Sequence, residues 1–256
     1  GQAGKTVPLA TVLTMSSTGS EMNSGAVISR YETKEKYAFY GDYPVFSILD
    51  PETLYSLPKR QVACGLADTF VHVLEQYMTT PHQSLLMDRW AEGILHTVVE
   101  TAPKALSDER DYDTMSEYML SATLALNDMI RMGVTQDWAT HMIGHELTAL
   151  HGLTHGATLA IVINGTLRVL RGQKRGKLLQ YGERPTRRSS VRWASRHAFR
   201  RRVSAKRPSP RSNAVSRLRA IGSARRRTST APWPAGFWRP ASDPIAGCRK
   251  NNPRNR

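Results

Sequence analysis

Four of the chain's eight histidines, His141, His145, His151 and His155, fall within one stretch, THMIGHELTALHGLTHG at 140–156. Imidazole is the commonest protein ligand for metals, and its charge changes near neutral pH. His141 and His145 stand four residues apart, so on a helix they project from one face. Gly152 interrupts the run, and a chain reversal there turns His155 back toward His141. Upstream, Asp68 and His72 repeat the four-residue spacing among Leu66, Ala67, Phe70 and Val71. A carboxylate in such apolar surroundings needs a cation, a hydrogen-bond network or a metal. By itself the Asp68–His72 pair is weak evidence, since an N-cap or an ordinary buried histidine pair is commoner than a metal site. Joined by two or three imidazoles from 140–156, it makes the mixed nitrogen and oxygen donor set that Zn(II) and Fe(II) accept.

Other histidine patterns carry less. His145-Glu146 begins like the His-Glu-x-x-His signature of metalloproteases, but position 149 is Ala, so the second ligand is missing. His82 follows Pro81 in an expected loop, and His96 sits in an amphipathic helix without a partner. Both read as structural or solvated residues.

The elements that must position these side chains change character along the chain. VPLATVLT (7–14), AVISRY (26–31) and YPVFSILD (43–50) are short β-rich runs bounded by Gly, Ser, Asn or Pro, which predicts strands. From Pro58 the apolar spacing becomes helical. It predicts helices over 60–78, 87–106, 114–133 and 137–150, the last stopping before Gly152, and a final helix from near Gly156 toward Tyr181. Strands followed by helices predict an α/β + all-α chain: the end of an α/β domain over 1–57, then a helical domain over 58–184.

The net charge of +15 is confined to the remainder. Residues 185–256 hold 18 Arg and 2 Lys against one acid, Asp243, so the first 184 residues are net negative. Only eight residues of this segment are Leu, Ile, Val or Phe, too few for a packed core. The abrupt switch after Arg184 interrupts a helical pattern and is what a shifted reading frame of GC-rich coding DNA gives. The alternatives are a disordered tail, or a nucleic-acid-binding arm with Trp193, Trp233 and Trp238 as stacking platforms. Two cysteines, Cys64 and Cys248, exclude a disulfide framework and point to a reducing cytoplasm. No apolar run reaches membrane-spanning length, and GQAGKTVPLATVL has no signal-peptide pattern.

The order Asp68-x-x-x-His72, His141-x-x-x-His145, His155-Gly156 resembles the group III, iron-containing alcohol dehydrogenases, and within them the NADPH-dependent, butanol-dehydrogenase-like aldehyde reductases. SSTGSEMNSGAVIS (16–29), ILDPETLYSLPKRQVACGLADTFVHVLEQY (48–77) and QDWATHMIGHELTALHGLTHGATLAIV (136–162) carry the likeness, which runs from about Val7 to Arg184. The resemblance implies that Asp68, His72, His141 and His155 hold Fe(II) or Zn(II). It implies that His145 lies beside the nicotinamide and serves proton transfer or cofactor positioning. Thr18, Gly19 and Ser20 match a turn touching the cofactor's phosphates and ribose, and Thr14 and Lys36 match further cofactor contacts. It leaves the role of His151 open.

By the same resemblance the expected reaction is hydride transfer between NADP(H), less readily NAD(H), and a short-chain aldehyde or primary alcohol, in a homodimer. The family's glycine-rich GGGS-type turn has no counterpart here, since the chain contains no Gly-Gly pair. A chain lacking that phosphate cradle, and ending in an arginine-rich segment, is expected to fold poorly and to show little dehydrogenase activity.

Overall fold

The protein is described here by a computed structural model, which covers residues 6–182. The arginine-rich segment, His197 and any nucleic-acid-binding role for 185–256 lie outside the described residues. Within them the order is strands first, helices afterwards. β1 (Ala10–Leu13) pairs in parallel with β4 (Phe46–Leu49), and β2 (Gly25–Arg30) pairs antiparallel with β3 (Glu35–Tyr40) as a hairpin inserted between them. β3 was not expected from the sequence: EKYAFY mixes polar and aromatic residues, and it is a strand through its pairing with β2. The faces of β1 and β4 leave Val12, Phe46 and Ile48 exposed. Parallel strands are ordinarily covered on both faces, so the described residues leave this small sheet partly uncovered.

Six helices follow: α1 (Lys59–Tyr77), α2 (Leu85–Ala105), α3 (Tyr112–Ala125), α4 (Ala139–His151), α5 (His155–Val169) and α6 (Arg175–Gly182). α1 is the axis of the bundle, with every residue from Val62 to Tyr77 buried. A helix covered all round must be enclosed by neighbours, and α2, α3, α4 and α5 all pack on it. Leu66, Phe70, Val73 and Leu74 of α1 join Leu95, Met115, Tyr118 and Leu159 in the core. Ser84 and Asp111 start α2 and α3 by accepting the backbone N–H groups of Met87 and Thr114. No described helix is long and apolar enough to cross a membrane.

Two helices differ from expectation. The third was expected to reach residue 133 but ends at Ala125. Its last carbonyls are taken from outside: Gln76 donates to Ala125 O (2.7 Å) and Asn23 to Leu126 O (2.9 Å). Asn127 then caps Met129 N, and Asp128 adopts φ +73°, which stops helical propagation. The final helix, expected to be continuous to Tyr181, is two. The break at Leu170–Lys174 turns the chain so that the Lys174 ammonium reaches Met78 O (2.5 Å) and Asp137 (2.8 Å).

Candidate metal centre

Asp68 and His72 sit one turn apart on α1, on the side facing α4 and α5, and are 2% and 4% exposed. The first turn of α4 brings His141, 5% exposed, to the same point. His155 is the first residue of α5. Its placement depends on Gly156, because a Cβ there would lie 2.1 Å from Cys64 O on α1. Only a residue without a side chain lets the two helix backbones approach so closely.

The four side chains converge on one atom. Asp68 Oδ1 lies 3.5 Å from His72 Nε2, 3.5 Å from His141 Nε2 and 3.7 Å from His155 Nε2. Donor atoms of Asp68, His72 and His141 all lie within 4.8 Å of one another. Four ligands about 2.1 Å from a tetrahedral ion stand roughly 3.4 Å apart, which is close to the spacing around Asp68. Asp68 Oδ1 and His141 Nε2 are buried and have no hydrogen-bond partner. Buried polar atoms are ordinarily satisfied, and a cation between them would satisfy both. The donor set, one carboxylate and three imidazoles, fits Zn(II) or Fe(II).

Outer partners hold the donors in orientation. Ser17 Oγ donates to Asp68 Oδ2, which leaves Oδ1 facing the histidines. Glu75, one turn beyond His72, accepts from His141 Nδ1 at 2.5 Å. A carboxylate oxygen can only accept in this pairing, so Nδ1 carries a proton and Nε2 is the nitrogen turned to the centre, free to bind an ion once its own proton leaves. The rings of His72 and His141 stack at 4.5 Å, and Trp138 meets His141 edge-on at 5.2 Å. Neither Ser17 nor Glu75 was recognised in the sequence.

Burial and charge set the protonation states. Burial works to raise the Asp68 carboxyl, but His72, His141 and His155 outweigh it and hold the group far below the usual carboxylate range. Burial brings His72 down to about 3, against the pull of Asp68. Burial also lowers His155, to about 4, again opposed by Asp68 and helped by Lys36 and His141. His141 differs: burial lowers it, but the nearby Asp68 carboxylate and Glu75, bonded to its Nδ1, prevail and raise it to about 9.

The other residues singled out in the sequence fall around this centre or away from it. His145, one turn past His141, packs on His155 with ring centroids 4.9 Å apart. Burial, then Lys36 and the neighbouring imidazoles, lower it to about 3. Lys36 projects from β3 on the α4 side, and its charge acts on Asp68, His145 and His155. Thr14 is exposed just after β1, and Thr18 and Ser20 are exposed on the following turn, while Gly19 is buried with φ +61°. That turn is tied down at several points. Tyr118 OH donates to Ser16 O (2.5 Å), Asn23 to Thr18 O (2.9 Å), and Thr123 to the Glu21 carboxylate. His151 is exposed at the end of α4, and His82 is exposed in its loop. His96 pairs with Glu100 at 3.1 Å, a partner within its own helix that the sequence reading overlooked.

Short strands and a helical bundle thus enclose a histidine–carboxylate cluster able to hold a metal ion, and sequence profiles specify the family. The profile of the Fe-containing alcohol dehydrogenase family, C-terminal, matches residues 62–195, and that of iron-containing alcohol dehydrogenase matches residues 1–51. The chain belongs to the iron-containing alcohol dehydrogenase family. The longer match extends past Arg184. The NADPH-dependent aldehyde reductase YqhD of Escherichia coli is 54% identical over 180 residues, 70% of this chain and 46% of that protein. The probable NADH-dependent butanol dehydrogenase 1 of Bacillus subtilis is 43% identical over 164 residues, 63% of this chain and 42% of that protein. The crystal structure of Escherichia coli YqhD superposes with a TM-score of 0.70 and 50% identity, covering 76% of this chain and 51% of that one. The chain thus spans about half the length of the relatives it matches.

Proposed function

We propose that the chain carries the metal-binding part of an NADP(H)-linked aldehyde reductase, working on short-chain aldehydes and the corresponding primary alcohols. The carrying observation is the convergence of three imidazole Nε2 atoms on the buried, unpartnered Asp68 Oδ1. In this reading Asp68, His72, His141 and His155 hold Fe(II) or Zn(II). A bound ion supplies Lewis acidity toward a carbonyl oxygen, and the nicotinamide supplies the hydride. NADP(H) is favoured because the Escherichia coli relative, NADPH-dependent by name, shares more sequence than the Bacillus subtilis one, NADH-dependent by name.

The chain's own residues then have defined tasks. Asp68 contributes the single negative charge of the donor set, so the site retains net positive charge where negative charge develops on the substrate. His145 is neutral across the physiological range. It serves as a relay, accepting a proton at one nitrogen while releasing one from the other. Thr18 and Ser20 offer exposed hydroxyls to the cofactor, with buried Gly19 setting the turn between them at φ +61°, while Thr14 and Lys36 extend this contact surface. The gap between the two profile matches, between residues 51 and 62, supports a division into the end of a nucleotide-binding domain over 1–57 and a helical metal-binding domain over 58–184.

The test is a chimera in which residues 7–182 replace the corresponding segment of the Escherichia coli reductase. It is expected to oxidise NADPH with butanal, to lose turnover on chelation and recover it with Zn(II) or Fe(II). Asp68→Ala is expected to abolish both metal retention and turnover. Turnover that survives complete metal removal would overturn the reading.

A further inference from the structure

We infer that Glu75 is a positioning residue of the metal centre, locking His141 in its Nδ1–H tautomer and fixing the start of α4 against α1. The inference rests on the metal-site reading above and extends it to a residue outside the donor set. Glu75 lies three residues beyond His72 and seven beyond Asp68, so all three side chains leave α1 on one face. It is 5% exposed, and a carboxylate so buried needs compensating donors. It has three. Thr140 N donates to Oε1 at 2.5 Å, His141 N to Oε2 at 3.1 Å, and His141 Nδ1 to Oε2 at 2.5 Å.

Two of these donors are the free N–H groups that any helix leaves at its start. Trp138 occupies the N-cap and makes no side-chain bond to the helix, and Asp137 Oδ1 accepts from Ala139 N at 3.0 Å, so the next two N–H groups, of Thr140 and His141, fall to Glu75. Glu75 therefore caps α4 from another helix, with its negative charge at the positive end of the α4 dipole. The same carboxylate orients the imidazole carried by that helix. A cap alone does not need the third bond, and a tautomer lock alone does not need the first two. Together they fix both the backbone and the ring of His141, so that Nε2 is presented to Asp68 and His72. Asp137 N also donates to the Glu75 carbonyl at 3.1 Å, tying the approach to α4 at the same residue.

The test uses the full 256-residue chain and Zn(II) itself. Zn(II) affinity is measured by competition with a chromophoric chelator for the wild type, Glu75→Gln, Glu75→Ala and Asp68→Ala. Outer partners of this kind typically change affinity by roughly 10- to 100-fold. Glu75→Gln, whose amide oxygen still accepts but carries no charge, is expected near the lower figure, and Glu75→Ala near the upper. Because Glu75→Ala could unfold, ¹⁵N-histidine spectra of the Zn(II)-loaded wild type give a readout that a packing role alone does not move. They are expected to show His141 protonated at Nδ1 and metal-bound at Nε2. Wild-type affinity in Glu75→Gln, or a His141 bound through Nδ1, would overturn the inference while leaving the metal site intact. Undiminished affinity in Asp68→Ala would overturn the metal-site reading itself, and the inference with it.

Discussion

Ser17 donates its hydroxyl to Oδ2 of Asp68, so the turn that follows β1 is bonded directly to the carboxylate on which three histidines converge. The same turn exposes Thr18 and Ser20, the proposed cofactor contacts. One hydrogen bond thus connects the two halves of the proposed chemistry. Ser17→Ala is expected to lower Zn(II) affinity about tenfold, the lower end of the usual outer-partner effect. A chelator-competition isotherm checks it.

Gly156 and Gly165 lie on the same helix but should answer the same substitution oppositely. A Cβ at Gly156 meets the backbone of Cys64 at 2.1 Å, whereas one at Gly165 meets nothing within 4 Å. Gly156→Ala is expected to destabilise the fold by about 1–3 kcal/mol or more, as forced overpacking does, and to weaken metal binding by shifting His155. Gly165→Ala, in an open helix interior, is expected to stabilise by roughly 0.5–1 kcal/mol. Chemical denaturation of both variants measures the pair.

Protons compete with the metal, and the direction of the competition is set by His141. With no ion bound, its imidazole keeps a proton until about pH 9, while His72 and His155 are neutral above about 3 and 4. Raising the pH from 6 toward 9 removes that competing proton. Affinity should climb roughly tenfold per pH unit and level off above about 9. Below about 4, protonation of His155 and then His72 makes the fall steeper. Calorimetry in buffers of different ionisation heat should also record about one proton released per ion near pH 7.

Lys177 is buried against Asp88, with its ammonium 4.5 Å over the Tyr77 ring, and Gln180 donates to the other Asp88 oxygen at 2.9 Å. This group anchors α6 to α1 and α2. Lys177→Ala leaves Asp88 charged and buried without its partner, which should cost about 3–5 kcal/mol. Replacing both residues by Met and Leu should recover much of that loss, because an apolar pair carries no desolvation penalty. A double-mutant cycle by urea denaturation separates the two contributions.

Much of this centre was legible because its ligands come in local pairs. Asp68/His72 announces itself by four-residue spacing, and His141 is placed on a helix whose end Gly152 marks. Glu75 carried a readable signal too, since it repeats the Asp68 face two turns later, but its acceptor role depends on α4 arriving beside it. Ser17 had no such signal: its partner is 51 residues away and only the packed turn brings them together. The fold misreadings have the same origin. α3 stops at Ala125 because Gln76 and Asn23 claim its last carbonyls, and β3 forms because β2 lies beside it. Periodicity records neither kind of long-range partner.

In the proposed site Asp68, His72, His141 and His155 surround one divalent ion. The most direct measurement is an anomalous difference map from crystals of the 256-residue chain grown with Zn(II), collected on both sides of the zinc edge. A single strong peak is expected about 2.1 Å from Asp68 Oδ1 and from Nε2 of the three histidines. A map with no peak there, or with zinc held by other side chains while these four remain free, would contradict the proposed site.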